Sequence, residues 1–470
     1  MNNLIIDTDS YKVSHWHQYP PNTTAMFSYL ESRGGRYDKT VFFGLQYILK
    51  EYLTQRINPA MVSEANEFFQ LHGEPFNFDG WIRIAKKLDG KIPIKIRAVP
   101  EGTVVPNHNI LMSGESTDPE TFWIASWFET ILMRMWYPIT VATQSWHIKQ
   151  TIKKYLDLTA DAPDAEIAFK LHDFGSRGVS SQESAMIGGA AHLVNFMGSD
   201  TMAGVWCANK YYNISMAGFS IPAAEHSTMT VWGRENEVKA YENMIDKYGD
   251  QPMFACVSDS YDIYNACEKL WGEKLYQKVV DANAMVIIRP DSGSPRKVVL
   301  KCLEILGSKF GFTQNSKGYK VLNHVRVIQG DGINEQSIKD ICNAFIADGW
   351  SATNVAFGMG GALLQQVNRD TQKFAYKCSH ATVNGKDVDV FKQPITDPDK
   401  NSKPGRLELT KTGNKFETVN TSEGQWTSGQ KVMETVFENG EIKKEYSFEE
   451  IRKTAAGFAP KEIILNSGSI

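Results

Sequence analysis

Between residues 168 and 361, short apolar or β-branched runs end abruptly in Gly, Asp, Arg or Ser and give way to helix-like stretches. The units are AFKLHDFGSRG (168–178), GFSIPAAEH (218–226), MFACVSDS (253–260), AMVIIRPDSG (284–293), VRVIQGDG (325–332) and NVAFGMGG (354–361), and the short FMGSDTMAG (196–204) joins the set. Their starts lie roughly 30 residues apart, the length of one βα unit. Between them, SYDIYNACEKLWGEKLYQKVV carries apolar residues at three- and four-residue intervals and predicts a helix, and Asn334 or Ser337 caps the helix running toward Ile346. About seven such units predict parallel strands closed into an irregular α/β barrel, with a doubly wound open sheet as the alternative.

The flanks are patterned differently. Residues 1–150 mix helical stretches (NEFFQLHGEPFNFDGWIRIAKKL) with alternating strands (IPIKIRAVPEGTVVP), and residues 375–470 are strand-rich (HATVNGKDVDVFKQP, GRLELTKTGNKFETV). These predict one α+β domain built from both chain ends, 1–150 plus 375–470, with the barrel, 151–374, inserted. NSKPGRLELTKTGNK has turn composition and predicts a surface loop before a hairpin.

Composition narrows the function classes. The chain has 470 residues, 42% hydrophobic and 22% charged, with 50 basic and 54 acidic side chains, a net charge of 50 − 54 = −4. Such a chain builds two or three cores of roughly 150 residues each. The balance, without blocks of like charge, argues against a dedicated nucleic-acid or anionic-membrane binder, so any polyanion handled here is small. The N-terminal MNNLIIDTDSYKVSHWHQ lacks the apolar core of a signal peptide, and no apolar run approaches a membrane span. Six sparse cysteines without a Cys-x-x-Cys pair suit reduced thiols in the cytoplasm.

In parallel α/β folds ligands sit at the carboxyl ends of strands, so the residues after each apolar run are the candidates for chemistry. Gly358, Gly360 and Gly361 precede a helix beginning near Ala362, an arrangement that suits a phosphate cradle or simply a tight turn. Asp331 lies between two glycines, where it could accept ribose hydroxyls or act as a turn or cap residue. Arg289 and Asp291 project to the same side of an extended segment; Arg suits phosphate, Asp a sugar hydroxyl or magnesium, and a structural ion pair is the competing account. Asp259 and Asp200 follow strand runs and could cap the next helices. His226 is either a packing residue or a nucleophile, oriented by Glu225 if that side chain turns inward. Phe174 can stack on a flat heterocycle or belong to the core, and Arg177 can bind the heterocycle or a phosphate. Together these residues suggest a sugar-phosphate or nucleotide site.

The segments TDSYK (8–12), TVFFGLQYIL (40–49), WYPITVAT (136–143), KLHDFGSRGVSSQE (170–183), PAAEHST (222–228), VSDSYDIYNACEK (257–269), IIRPDSG (287–293), VIQGDG (327–332) and FGMGGALLQ (357–365) closely resemble the nicotinamide phosphoribosyltransferases, over nearly the whole chain. The resemblance implies a type II phosphoribosyltransferase fold and a cytoplasmic homodimer with active sites at the interface. It implies condensation of nicotinamide with phosphoribosyl pyrophosphate (PRPP) to nicotinamide mononucleotide and pyrophosphate, in NAD salvage. By that likeness Phe174, with Tyr11 from the second subunit, sandwiches the pyridine; Asp200 accepts the carboxamide N–H; and Arg177, Ser220 and Asp291 line the same end. Gly330, Asp331, Gly360 and Gly361 hold the ribose phosphate with Arg289 close by. Arg33, Arg369, Lys377 and Lys392 clamp the diphosphate, and Asp259 and Asp291 lie near magnesium. His226 matches a histidine phosphorylated from ATP, which makes ATP a coupled co-substrate.

A carboxylate at 200 accepts from an amide and repels the carboxylate of nicotinate, so the resemblance favours nicotinamide. Nicotinate phosphoribosyltransferase is the nearest alternative, and a non-catalytic ligand-binding or signalling protein on the same scaffold is a second. A barrel lyase or isomerase finds no strand-end lysine for Schiff-base chemistry. Met359, Ala362 and Ala255 depart from the family pattern, where Ser, Gly and Ser are familiar, and the loop 32–40 is shorter than in animal versions.

Overall fold

The computed structural model describes residues 3–422 and 429–459. Its parallel sheet has the strand order Leu171–Asp173, Val355–Met359, Val325–Gln329, Met285–Arg289, Met253–Val257. Pairing is in parallel register throughout, for example Phe357↔Leu171, Val327↔Val355, Val325↔Val286 and Phe254↔Val286. Val286, Ile288, Val325, Phe254 and Cys256 are buried, as strands covered on both faces require.

Single parallel bridges close the ring: Asp173↔Ser199, Gly198↔Phe219 and Ala223↔Ala255. All seven predicted units therefore take a place around the barrel, but two contribute bridges rather than strands. Pro222 cannot donate to a ladder. At Gly198 a Cβ would stand 2.6 Å from the His172 ring, so the backbone approaches too closely for ordinary pleating.

The helices differ from expectation in one place. Glu335–Ala347 is capped by both candidates at once: the Asn334 side chain accepts the Ser337 N–H at 3.0 Å, and the Ser337 hydroxyl accepts the Asn334 N–H at 2.9 Å. The stretch expected as one helix is instead Ile263–Asn265, a wide π-helical segment Ala266–Lys274, and Tyr276–Asp281. Gly272 lies in the wide segment, where a Cβ would meet Lys309 Cγ at 2.6 Å, so close contact with the helix Pro295–Phe310 has replaced regular winding.

The flanking segments build a seven-stranded sheet with the order Lys386–Asp389, Phe374–Val383, Thr23–Ser32, Ile110–Ser116, Ile94–Ala98, Glu434–Glu438, Glu441–Ile442, every pair antiparallel. The three strands from the N-terminal part stand side by side at its centre, flanked on each side by two from the C-terminal part. Helices Pro59–His72 and Phe78–Lys87, N-capped by Asn58 and Asn77, bring Phe69 and Trp81 against Trp127.

The chain divides into two units. One comprises the chain up to Thr143, Ala208–Ile214 and Val367–Phe458; the other comprises Gln144–Cys207 and Ser215–Gln366. The sequence pattern places the divisions at 150/151 and 374/375. The first lies inside the continuous helix Trp136–Thr159, so no linker composition marks it. Among the described residues no helix is long and apolar enough to cross a membrane. All six cysteines are free, five of them buried.

Candidate active site

The rim of the barrel gathers most of the predicted residues. Phe174 follows the strand Leu171–Asp173 and donates its N–H to the carbonyl of Met359 at 3.0 Å. Its ring lies across two glycines of neighbouring strand ends. A Cβ on Gly358 would fall 2.0 Å from Phe174 Cε2, and one on Gly330 would fall 3.4 Å from the same atom and 3.1 Å from Asp291 Oδ1. Glycine is therefore needed at 358 to let the ring lie there. Arg177 sits in the turn Ser176–Gly178, and Gly178 approaches Gly361, where an added methyl would meet no protein atom within 4 Å. The space in front of Gly361 is open, as a ligand cradle requires. The helix there, Gly361–Leu364, is a single turn, shorter than its sequence suggests.

Asp200 receives the Ser220 hydroxyl at 2.6 Å, and its backbone N–H donates to the Asp173 carbonyl at 2.9 Å. Its carboxylate is exposed at the rim and held in place by Ser220.

A second cluster centres on Asp259. Its Oδ1 meets His226 Nε2 at 2.8 Å; its Oδ2 accepts the Asp291 N–H at 3.1 Å and the Ser292 hydroxyl at 2.5 Å. Burial alone would raise its pKa, but the hydrogen bonds from Ser292, His226 and Asp291 outweigh that and hold it below the ordinary aspartate value. Capping of the following helix falls to Asp262, which accepts from Tyr264 and Asn265. Glu225 does not orient His226; it accepts from the Ser227 hydroxyl instead. The His226 side chain is 45% exposed and Asp259 only 4%, so a buried carboxylate presents an accessible imidazole. Arg289 stands 3.8 Å from Asp291, and its buried Nε has no partner among the described residues. Asp291 is pushed up by burial, opposed by Arg289 and reinforced by Asp259 and Asp331, so the three carboxylates feel one another.

In the other unit a cavity of about 450 Å³ is lined by Arg33, Arg369, Lys377 and Lys392 together with Lys373 and Lys400. Burial lowers the pKa of Lys377, and Arg33, Lys392 and Lys12 lower it further against the opposing Glu129. The short loop 32–40 is tied down: Arg33 and Arg36 donate N–H to the carbonyls of Lys373 and Thr371, and Gly35, at φ +123°, fits where a Cβ would meet the Thr371 carbonyl at 2.2 Å. Arg33 Nε pairs with Glu31 at 2.8 Å. Tyr11 lies in this unit on the segment Ser10–His17, 57% exposed, with the His15 ring 5.1 Å away.

Comparison with known proteins decides the family. A model of the nicotinamide phosphoribosyltransferase N-terminal domain matches residues 3–96, and that of the nicotinate phosphoribosyltransferase family matches 169–441. The nicotinamide phosphoribosyltransferase of Xanthomonas campestris pv. campestris (strain 8004) is 53% identical over 461 residues, covering 97% of this chain and 98% of its own. The chain belongs to the nicotinamide phosphoribosyltransferase family. A nicotinamide phosphoribosyltransferase from Acinetobacter baylyi is 30% identical over 95% of this chain and 96% of its own. Among solved structures, nicotinate-nucleotide pyrophosphorylase from Pyrococcus furiosus matches with a TM-score of 0.64 at 17% identity, covering 97% of this chain and 95% of that one. Human nicotinic acid phosphoribosyltransferase matches at 0.54 and 14%, covering 96% and 93%. These two likenesses speak to the fold.

The departures from the nicotinamide phosphoribosyltransferase pattern fall at structural positions. Met359 is buried and bonds Phe174 through its carbonyl; the Ala362 carbonyl accepts from Gln144; Ala255 makes the bridge that closes the ring. Sequence reasoning missed Ser292, which lies within IIRPDSG but shows no role until it bonds Asp259, and Lys373 and Lys400, which carry no motif and join the cationic cavity only through folding.

Proposed function

We propose that this nicotinamide phosphoribosyltransferase condenses nicotinamide with PRPP as follows. The pyridine nitrogen attacks ribose C1 with its lone pair while the bond from C1 to the diphosphate oxygen breaks and its electrons leave with the diphosphate. Pyridine carries no proton on nitrogen, so no general base is required. The chain's work is to hold the ring, hold the sugar and neutralise the leaving group.

Phe174 supplies one face of the ring site, and Tyr11 of a second copy, with its exposed ring, supplies the other. Asp200, steadied by Ser220, accepts the carboxamide N–H, and Arg177 and Asp291 line the same end. Asp331 and Gly330 bind the ribose, Gly360 and Gly361 its phosphate, and Arg289 stands beside them. Arg33, Arg369, Lys377 and Lys392 receive the diphosphate. PRPP arrives as its magnesium complex, and Asp291, with Asp331 near, is the oxygen donor suited to that ion. Both oxygens of Asp259 are already committed, which fits it to hold His226 rather than to ligate.

Asp259 at Nε2 leaves Nδ1 of His226 as the nucleophile toward the γ-phosphorus of ATP, with ADP as leaving group. The active form is a homodimer. The observation that carries the whole reading is the Phe174 ring lying over Gly358 and Gly330 beside Asp291, a flat aromatic wall next to a sugar-phosphate cradle.

The test is incubation with magnesium, PRPP and nicotinamide. Nicotinamide mononucleotide and pyrophosphate should appear in equal amounts, and absence of both refutes the reading. The family model for nicotinate enzymes keeps nicotinate as the second substrate to try, and the exposed Asp200 carboxylate argues against it.

A further inference from the structure

Asp173 precedes Phe174 and is fully buried. Its Oδ1 accepts the Gly175 N–H at 2.7 Å. Its Oδ2 makes no hydrogen bond of good geometry among the described residues, and the buried Thr201 hydroxyl beside it is the one donor near enough to hold its charge. Glycines let the backbone close in: a Cβ on Gly189 would stand 3.4 Å from Oδ2 and 2.9 Å from Gly204 Cα, so main chain packs against the carboxylate. The same residue pairs with Ser199 and accepts the Asp200 N–H on its carbonyl. A buried carboxylate held by one backbone N–H and a poorly aligned hydroxyl is costly, and an apolar residue of similar volume would avoid the cost. Such a group, next to a ligand site, calls for a functional explanation.

We propose that Asp173 is a specificity-determining residue: a fixed negative charge one layer behind Asp200 that adds to the rejection of an anionic pyridine. Its Oδ1 also holds the Gly175 turn from which Phe174 and Arg177 project. This rests on the reading of Asp200 as the residue facing the pyridine substituent.

Burial raises the pKa of Asp173 to about 6 against the hydrogen bonds from Gly175 and Thr201, with the Asp200 charge adding a little to the rise, so the group is ionised at neutral pH. The charged or titratable groups around it are Asp200, His172, whose pKa burial lowers so that it stays neutral, and Arg177 on the turn it holds. Thr201, Gly189 and Leu364, which complete the surroundings, carry no charge. A charge in this dry setting acts over a longer range than one in water.

The test measures kcat/KM for nicotinamide and nicotinate in the wild type, Asp173→Asn and Asp200→Asn, with PRPP and magnesium saturating. Asn keeps an Oδ1 acceptor for Gly175 and removes the charge. Asp173→Asn should leave nicotinamide turnover nearly unchanged and raise the nicotinate-to-nicotinamide ratio about tenfold. A fall in both pyridines with the ratio unmoved makes the residue merely structural and overturns the proposal. If Asp200→Asn shifts the ratio and Asp173→Asn does not, the inference fails while the reading of Asp200 stands. If Asp200→Asn leaves the ratio unchanged, that reading falls and the inference with it. The wild type gives a second arm: its ratio should climb as pH drops from about 7.5 to about 5.5, and a flat profile overturns the proposal.

Discussion

Replacing Gly361 by alanine separates a ligand cradle from a tight turn. The added methyl meets no protein atom within 4 Å, and the residue does not require positive φ, so the fold has no reason to object. Alanine at such a position restricts the unfolded chain and stabilises by about 0.4–1 kcal/mol. A phosphate seated on the Gly360–Gly361 backbone, however, would meet the methyl and lose a charge-assisted hydrogen bond worth about 1.5–3 kcal/mol. That is roughly a tenfold to hundredfold rise in KM for PRPP. Gly358→Ala is the internal contrast: its methyl would overlap the Phe174 ring at 2.0 Å, which costs about 1–3 kcal/mol of stability and displaces the aromatic wall. Steady-state kinetics with each substrate varied in turn, alongside thermal melts, gives the comparison. Gly361→Ala should slightly raise its Tm and lose PRPP affinity; Gly358→Ala should lose Tm and raise the nicotinamide KM more than that for PRPP. An unchanged PRPP KM in Gly361→Ala would refute the cradle.

Three further outcomes are expected. ATP should label the protein with acid-labile phosphate, and His226→Ala should abolish labelling while slow PRPP-dependent turnover remains; labelling that persists places the phosphate elsewhere. Because burial and neighbouring cations depress Lys377, a bound diphosphate should restore its proton, so PRPP affinity should fall as pH rises through the lowered value. In Lys377→Met that alkaline slope should flatten, and an unaltered slope excludes the residue as its origin. Asp173, raised from 3.8 to about 6, keeps its proton in the folded state after the unfolded chain has lost it. Its contribution to stability is therefore present below about pH 4 and is lost as pH rises through about 6. Asp173→Asn should accordingly gain up to about 3 kcal/mol near pH 7.5 in denaturant melts, and a destabilised variant contradicts the assignment.

The barrel was legible because each parallel strand is an apolar run that stops at a polar residue, and those stops are the rim. What pattern could not show is which neighbour each rim residue meets. In VSDSYD the spacing does not tell Asp259 from Asp262; only when Asp262 takes the helix cap is Asp259 free to hold His226. The two bridge-only units look like strands in sequence, and Gly198 and Pro222 reduce them to isolated bridges. Arg33, Lys377 and Lys392 lie too far apart in sequence for any motif. The antiparallel pairing of Thr23–Ser32 with Phe374–Val383 brings the first two together, and their grouping was expected only through the family resemblance. Asp173 carries no signal in the sequence, since an Asp at a strand end ordinarily faces water, and its burial arises from the close approach of Gly189 and Gly204.

The most direct measurement is a competition in one vessel: equal concentrations of nicotinamide and nicotinate with limiting PRPP and magnesium, sampled early for both mononucleotides. The product ratio equals the ratio of kcat/KM values. A carboxylate facing the ring substituent predicts nicotinamide mononucleotide in excess by at least about a hundredfold. Equal products, or an excess of nicotinate mononucleotide, would contradict it.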